Sequence, residues 1–103
     1  MNPVNNHHAY VVGLLQDPVQ AKQYLEIALE NFEEDGNSPA FLMALRTLVE
    51  ANGGIGILAT KTGLSRQNLY RVLSHNGNPA FKTVSTILQT FGYRLSVQPV
   101  AIS

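Results

Sequence analysis

The stretch from Thr62 to Ser74, TGLSRQNLYRVLS, contains two sets of residues at helical spacing. Leu69, Val72 and Leu73 are apolar and predict the buried side of a short helix. The opposite side carries residues three, four and seven positions apart: Gln67, Tyr70, Arg71 and Ser74. Such a polar stripe is either an ordinary solvated surface or a surface that contacts a ligand.

A three-residue turn, Gly63-Leu64-Ser65, precedes this helix. Glycine can adopt the left-handed conformation that ends a helix, and serine can cap the free amides of the next one. The preceding residues, 55–62, predict another short helix, in which Ala59 is small enough for close packing. Two short helices joined in this way form a helix-turn-helix, which we place at residues 55–74.

The second helix of such a unit enters the major groove of DNA. Arginine can bind guanine through two hydrogen bonds, glutamine can pair with adenine, and tyrosine can contact phosphate or a thymine methyl group. The stripe contains no carboxylate, which phosphate would repel, so we favour a DNA-binding surface over a solvated one. Lys82, near the start of the next helix, is a candidate phosphate contact. The candidate DNA-binding residues are Ser65, Arg66, Gln67, Asn68, Tyr70, Arg71, Ser74 and Lys82.

Capping and turn residues place three further helices. The first begins at Asp17-Pro18 and ends near Asp35-Gly36, and the second begins at Ser38-Pro39 and ends near Asn52. The last spans about 81–91. The apolar residues of the first of these helices should face the core: Tyr24, Leu25, Ala28, Leu29 and Phe32.

The two ends of the chain lack helical periodicity. Residues 1–16 predict a flexible N-terminal segment, and residues 17–103 predict a single domain. The tail at 93–98, YRLSVQ, alternates apolar with polar residues, which predicts a strand. Because a solitary strand needs a neighbour, we expect it to pair with its copy in a second subunit, with residues 10–12 or a partner's sheet edge as alternatives. The predicted fold class is all-α: five helices with a short C-terminal β-strand.

Charge is distributed unevenly between the two halves. Residues 1–50 hold seven acidic and two basic residues, a formal charge of −5, whereas residues 51–103 hold five basic and no acidic residues, a charge of +5. This asymmetry indicates an anionic partner for the basic half. No apolar run approaches the ~18 residues needed to cross a bilayer, and the N-terminus lacks the pattern of a secretory signal. We therefore expect a cytoplasmic protein with no membrane partner.

The sequence gives no support for catalysis or metal binding. The chain has no cysteine, which excludes disulfides and thiolate chemistry. His7 and His8 are adjacent in a polar segment, and adjacent residues cannot both face one metal from a rigid element. The glycines of Gly53-Gly54-Ile55-Gly56 lack the preceding strand and following lysine of a phosphate-binding loop. We predict no enzyme activity, no cofactor and no metal site.

Residues 55–74 resemble the DNA-binding unit of the Cro and cI phage repressor superfamily. From about Asp17 to Val97 the chain is similar to the HigA-like family of probable addiction-module antidote proteins. Members combine a helix-turn-helix of the form TGLSR-x-x-LYR-x-LS with a GNP turn, a further helix and a GxRLSV strand. The resemblance implies a Cro/cI-like (lambda-repressor-like) fold and an antitoxin of a type II toxin–antitoxin module. It further implies that the protein binds a RelE/ParE-type toxin and represses its own operon. From the two-fold geometry of helix-turn-helix proteins we expect a homodimer that binds a double-stranded, palindromic operator.

A cluster of acids at the end of the first predicted helix has two interpretations. Glu33, Glu34 and Asp35 are either solvated residues beyond the helix or a docking surface for a basic toxin. Two other functions also stay open for the whole chain. One is a prophage-type Cro/cI-like transcriptional regulator without a toxin partner, and the other is a helix bundle whose polar stripe binds a protein.

Overall fold

The computed structural model describes residues 3–102, and within that range the chain forms six α-helices and no strand. Their bounds are α1 Pro3–Leu14, α2 Pro18–Asp35, α3 Ser38–Ala51, α4 Ile55–Thr62, α5 Arg66–Val72 and α6 Phe81–Thr90. The all-α class is confirmed. The description as five helices with a C-terminal β-strand is wrong on both points.

The additional helix, α1, lies where the sequence analysis expected a flexible segment over residues 1–16. It packs against α3, with Val11 half-buried against the core and Leu15, just after the helix, buried. The His8 ring nitrogen Nε2 lies 2.8 Å from the Glu50 carboxylate oxygen Oε2 on α3. Tertiary contacts with α3 therefore stabilise a helix whose own sequence is too polar at its start to indicate one.

The caps of α2 agree with the sequence. The Asp17 carboxylate accepts a hydrogen bond from the Val19 amide at 3.1 Å, and Gly36 ends the helix in the left-handed conformation with φ 70°. Leu25 and Ala28 are buried, as expected. The prediction that Tyr24 and Phe32 face the core is wrong, because these residues are 36% and 40% exposed.

The core is centred on α3, which packs against α1, α2 and α4. Its buried apolar residues meet one fully buried residue from each of the three following helices, Leu58, Leu69 and Ile87. Burying one such side chain contributes about 1.5–3 kcal/mol to stability. None of the helices within residues 3–102 combines the length and the hydropathy of a membrane-spanning segment. In the same range α3 and α4 meet that criterion only when taken as a pair, and the pair is bent by 86°.

The segment after α6 forms no strand within the described residues. The Tyr93 amide donates to the Leu88 carbonyl at 2.9 Å, and Tyr93 and Leu95 pack against the core. Burial raises the pKa of the Tyr93 phenol, and the nearby Asp17 carboxylate adds to this rise. The strand predicted at 93–98 is wrong: the apolar residues of its alternating pattern pack on the helices, and none of the described residues forms a strand with which it could pair. The alternative partner at 10–12 is helical.

Candidate nucleic-acid interface

The turn between α4 and α5 has the geometry that its residues predict. Gly63 adopts φ 76° and ψ 4°, and its amide donates to the Ala59 carbonyl at 2.9 Å. The Ser65 hydroxyl Oγ accepts a hydrogen bond from the Asn68 amide at 3.0 Å and so caps α5. The predicted helix stop and the predicted cap are both confirmed. Together they fix where α5 begins relative to α4.

The apolar side of α5 is anchored in the core. Leu69 and Leu73 are buried, and Val72 is half-buried against them. Arg46, a half-buried residue of α3, donates a hydrogen bond from its guanidinium to the Leu73 carbonyl at the end of α5. The sequence analysis did not single out Arg46, since no local pattern indicates a contact between residues so far apart in the chain.

The loop after α5 is held close to the helix by Gly77. A Cβ atom added at this position would lie 2.1 Å from the Val72 carbonyl oxygen, far inside van der Waals contact. Only glycine permits this approach of the loop to the end of α5. The path from α5 to α6 therefore depends on one residue without a side chain.

The polar side of α5 is exposed along its length. Gln67, Tyr70, Arg71 and Ser74 all lie at the surface, and Tyr70 is 64% exposed. The Arg71 guanidinium donates from Nη2 to the Asn68 side-chain oxygen, and the Ser74 hydroxyl donates to the Arg71 carbonyl at 2.8 Å. We call these four residues the α5 polar face. None of them is occluded within the described part of the monomer.

The other candidate residues lie around this face. Ser65 is exposed at the amino end of α5, and Asn68 is half-buried beside Arg71. The Arg66 side chain lies over the first turn of α4, since a Cβ atom added at Gly56 would be 3.1 Å from its Nη2. Lys82 is exposed in the first turn of α6, beyond the loop held by Gly77.

The basic residues of this region carry uncompensated charge. In residues 7–102 two carboxylates contact a basic side chain: Glu26 pairs with Lys22, and Glu50 shares a hydrogen bond with the His8 ring. Arg66, Arg71 and Lys82 therefore have no carboxylate partner within that range. Combined with the absence of acids after residue 50, this leaves the α5 polar face and its surroundings attractive to an anion.

The acidic cluster lies within α2 rather than beyond it. Helix α2 continues through Asp35, so Glu33, Glu34 and Asp35 occupy its last turn and are exposed. Negative charge at that end opposes the helix dipole and costs about 0.3–1 kcal/mol per group. Asp35 has a local role, because its carboxylate accepts from the Asn37 amide at 2.9 Å. No such bond within the described residues involves Glu33 or Glu34.

Among the described residues, no group of three histidine or carboxylate side chains could hold a metal ion. The two surfaces with a distinct chemical character are the α5 polar face and the acidic end of α2. One suits an anionic ligand and the other a cationic one.

Comparison with known proteins identifies the family. The family model described as probable addiction module antidote protein matches residues 9–99, which include α2 to α6 and part of α1. An uncharacterized protein of Haemophilus influenzae (strain ATCC 51907 / DSM 11121 / KW20 / Rd) is 28% identical over 78 residues, covering 76% of this chain and 79% of that protein. No solved structure matches the chain. Because the match extends over most of its length, the chain belongs to the family of probable addiction module antidote proteins.

Proposed function

We propose that this antidote protein is also a sequence-specific DNA-binding protein that represses its own operon. The antidote family implies a toxin partner, and we infer from the resemblance noted above that this partner is a RelE/ParE-type toxin. The observation that supports DNA binding best is the division of α5. One side anchors the helix in the core, and the other presents arginine, glutamine and tyrosine and carries no acid of its own.

In this proposal α5 lies in the major groove. Arg71 binds guanine through two N–H groups. Its bond to Asn68 uses one of the five guanidinium donors, which leaves donors for the base and holds the guanidinium plane in position. Gln67 pairs with adenine, and Tyr70 contacts a phosphate or a thymine methyl group. Ser74 lies one turn beyond Tyr70 and donates to the backbone of α5, so its role is secondary.

In this proposal, residues at the amino ends of α5 and α6 contact the DNA phosphates. Ser65 and Arg66 lie at the amino end of α5, where backbone amides and positive charge favour an anion. Lys82 at the start of α6 contacts the backbone on the other side, beyond the loop that Gly77 holds against α5. Phosphate contacts of this kind position the protein, whereas Gln67 and Arg71 select the sequence.

The operator follows from symmetry. A homodimer places two copies of α5 in successive major grooves, so the proposed site is a palindrome with half-sites about 10 bp apart or a multiple of it. The promoter of the protein's own operon is the natural place for such a palindrome. The reading frame next to this gene should then encode a small basic protein, the toxin.

Fluorescence anisotropy tests the DNA-binding proposal. The full chain is titrated onto a labelled duplex from its own promoter and onto a scrambled duplex of equal length and composition. We expect the promoter duplex to bind about a thousandfold more tightly, the lower range for specific recognition. We also expect log K to fall against log salt with a slope near about −4 to −5, for four to six phosphate contacts. Equal affinity for both duplexes, or a slope near zero, would contradict the proposal.

A further inference from the structure

A second surface of the chain is an apolar groove at the end of α2. It has a volume of about 490 Å³ and lies between α2, the start of α3, the loop at 77–79, the start of α6 and the segment at 95–97. Three phenylalanines line it, Phe32, Phe41 and Phe81. The rings of Phe32 and Phe41 are 6.3 Å apart between centroids and form one wall. We call this surface the acidic groove, because Glu33 also lines it.

Two apolar residues at the edge of the acidic groove remain largely in water in the single chain. Phe81 is 76% exposed and Val97 is 98% exposed, although both border a concave surface. Exposed apolar residues that gather in one concavity mark a binding surface, whereas scattered ones are ordinary. A ligand that covers them gains the free energy of their burial.

Charge specifies the kind of partner. Glu33 lines the groove, and Glu34 and Asp35 extend the negative charge to the end of α2, where the helix dipole is already negative. No ion pair neutralises any of these three acids within residues 7–102. The three acids destabilise the carboxyl end of α2 in the single chain, and a cationic side chain from a partner would relieve their repulsion.

We propose that the acidic groove is the surface that binds the toxin. It takes a segment in which an aromatic or aliphatic side chain is flanked by lysine or arginine. The apolar side chain packs between Phe32, Phe41 and Phe81, and the basic side chains pair with Glu33 and Glu34. This inference rests on the antidote function, and it is independent of the proposal that α5 binds DNA.

A second copy of this chain fits the groove less well. A two-fold interface uses the same surface on both subunits, so the acids of each α2 end would approach the acids of the other. Like charges facing each other across an interface disfavour association. The toxin, a different protein, does not bring this repulsion.

The test measures binding of the full-length chain to the purified protein encoded by the adjacent reading frame, by biolayer interferometry. Phe81→Ser should weaken this complex by about tenfold or more, since burial of one phenylalanine is lost. Its matched control is Tyr10→Ser, an aromatic residue on α1 that is 65% exposed and lies outside the groove. Because both side chains are exposed, both variants should fold, and their thermal unfolding curves check this.

A charge variant tests separately whether the acids of the groove attract the toxin. The double substitution Glu33→Lys and Glu34→Lys should slow association by about tenfold at low salt, and added salt should reduce the difference. The control is Glu26→Lys, an exposed acid on the same helix that pairs with Lys22.

Three results would overturn the inference. In the first, Phe81→Ser and the charge variant bind the toxin like the wild type. In the second, these changes alter self-association of the chain, measured by light scattering, and leave toxin binding unchanged. In the third, the wild-type chain does not bind the protein from the adjacent frame at all, which also removes the antitoxin role. The promoter titration is unaffected in each case, so failure of the groove and failure of the DNA-binding proposal are distinguishable.

Discussion

The α5 polar face and the acidic groove are the two exposed surfaces with opposite chemistry. The first presents Arg71 and Gln67 from a helix whose other side is buried, and no acid lies after residue 50. The second combines exposed phenylalanines with Glu33 and Glu34 at the negative end of α2. An anionic ligand is therefore attracted to the α5 polar face and repelled by the acidic groove. A cationic ligand is attracted to the acidic groove and repelled by the α5 polar face. The uneven charge along the chain therefore gives the basic surface and the acidic surface different positions in the fold.

The two surfaces meet in the loop from Ser74 to Ala80. Gly77 connects α5 with the acidic groove, because it lies close to the Val72 carbonyl at the end of α5 and also lines the acidic groove. Substitutions can therefore be sorted by whether they disturb this junction, the α5 polar face alone or the acidic groove alone.

Gly77→Ala should disturb both surfaces. Its Cβ atom would lie 2.1 Å from the Val72 carbonyl oxygen, so the loop must move. We expect a loss of about 3 kcal/mol or more in the free energy of unfolding, the upper end for overpacking. Affinity for both the promoter duplex and the toxin should fall. Urea denaturation and the two binding assays measure this.

The matched control for that substitution is Gly13→Ala in α1. Nothing lies within 4 Å of a Cβ atom at Gly13, and alanine favours a helix by about 0.5–1 kcal/mol over glycine. The control should therefore be as stable as the wild type or slightly more so. If Gly77→Ala behaves like Gly13→Ala, the loop does not depend on the absence of a side chain.

Arg46→Met should affect the α5 polar face and spare the acidic groove. The substitution keeps the apolar part of the side chain but removes the donor to the Leu73 carbonyl. A hydrogen bond from a charged donor contributes about 1.5–3 kcal/mol, so stability should fall by that order. At a temperature where the variant is fully folded, promoter affinity should fall while toxin affinity stays unchanged. An equal loss for both ligands would show that Arg46 supports the whole fold rather than α5.

Ser65→Ala removes the cap of α5. Loss of an N-cap hydroxyl typically costs about 1 kcal/mol of stability. Because the Asn68 backbone amide then has no acceptor, the amino end of α5 should fray and promoter affinity should fall modestly. Ser65→Asp, which restores a cap, should recover stability but not DNA binding, since a carboxylate there repels phosphate. Recovery of both would indicate that Ser65 has no place near the DNA backbone.

Lys82→Ala should have the smallest effect, and its neighbour Phe81 provides the contrast. The lysine is exposed, and its loss should weaken binding to promoter and scrambled duplexes alike while the slope of log K against log salt falls by about 1. Toxin binding should be unchanged. Phe81→Ser, one residue earlier, should do the reverse. If Lys82→Ala leaves the salt slope as it was, Lys82 makes no phosphate contact.

Local chemistry determined which parts of the fold could be predicted. The turn between α4 and α5 depends on the conformation of Gly63 and the hydroxyl of Ser65. Both residues lie within the turn itself, so the local sequence is sufficient to predict it. Helix α1 depends instead on contacts of Val11 and Leu15 with a core built from distant residues. The strand was wrongly predicted because an irregular segment that packs on helices through Tyr93 and Leu95 shows the same alternation.

The functional surfaces differ in the same way. Spacing within α5 is sufficient to place Gln67, Tyr70 and Arg71 on one exposed side. The acidic groove is formed by residues from five separate segments, which no periodicity relates. The sequence indicated that Glu33 and its acidic neighbours could bind a partner, but not that three phenylalanines lie beside them. The bond from Arg46 to Leu73 likewise joins residues whose proximity only the folded chain creates.

The most direct test of DNA reading by α5 compares Arg71→Ala with Arg94→Ala, an exposed arginine outside the α5 polar face. Anisotropy titrations use the promoter duplex and its scrambled counterpart. We expect Arg71→Ala to lose about 1–3 kcal/mol of binding free energy on the promoter duplex and much less on the scrambled one, while Arg94→Ala keeps wild-type preference for the promoter. Equal losses for Arg71→Ala on the two duplexes would contradict this expectation, because the arginine would then contact only the DNA backbone.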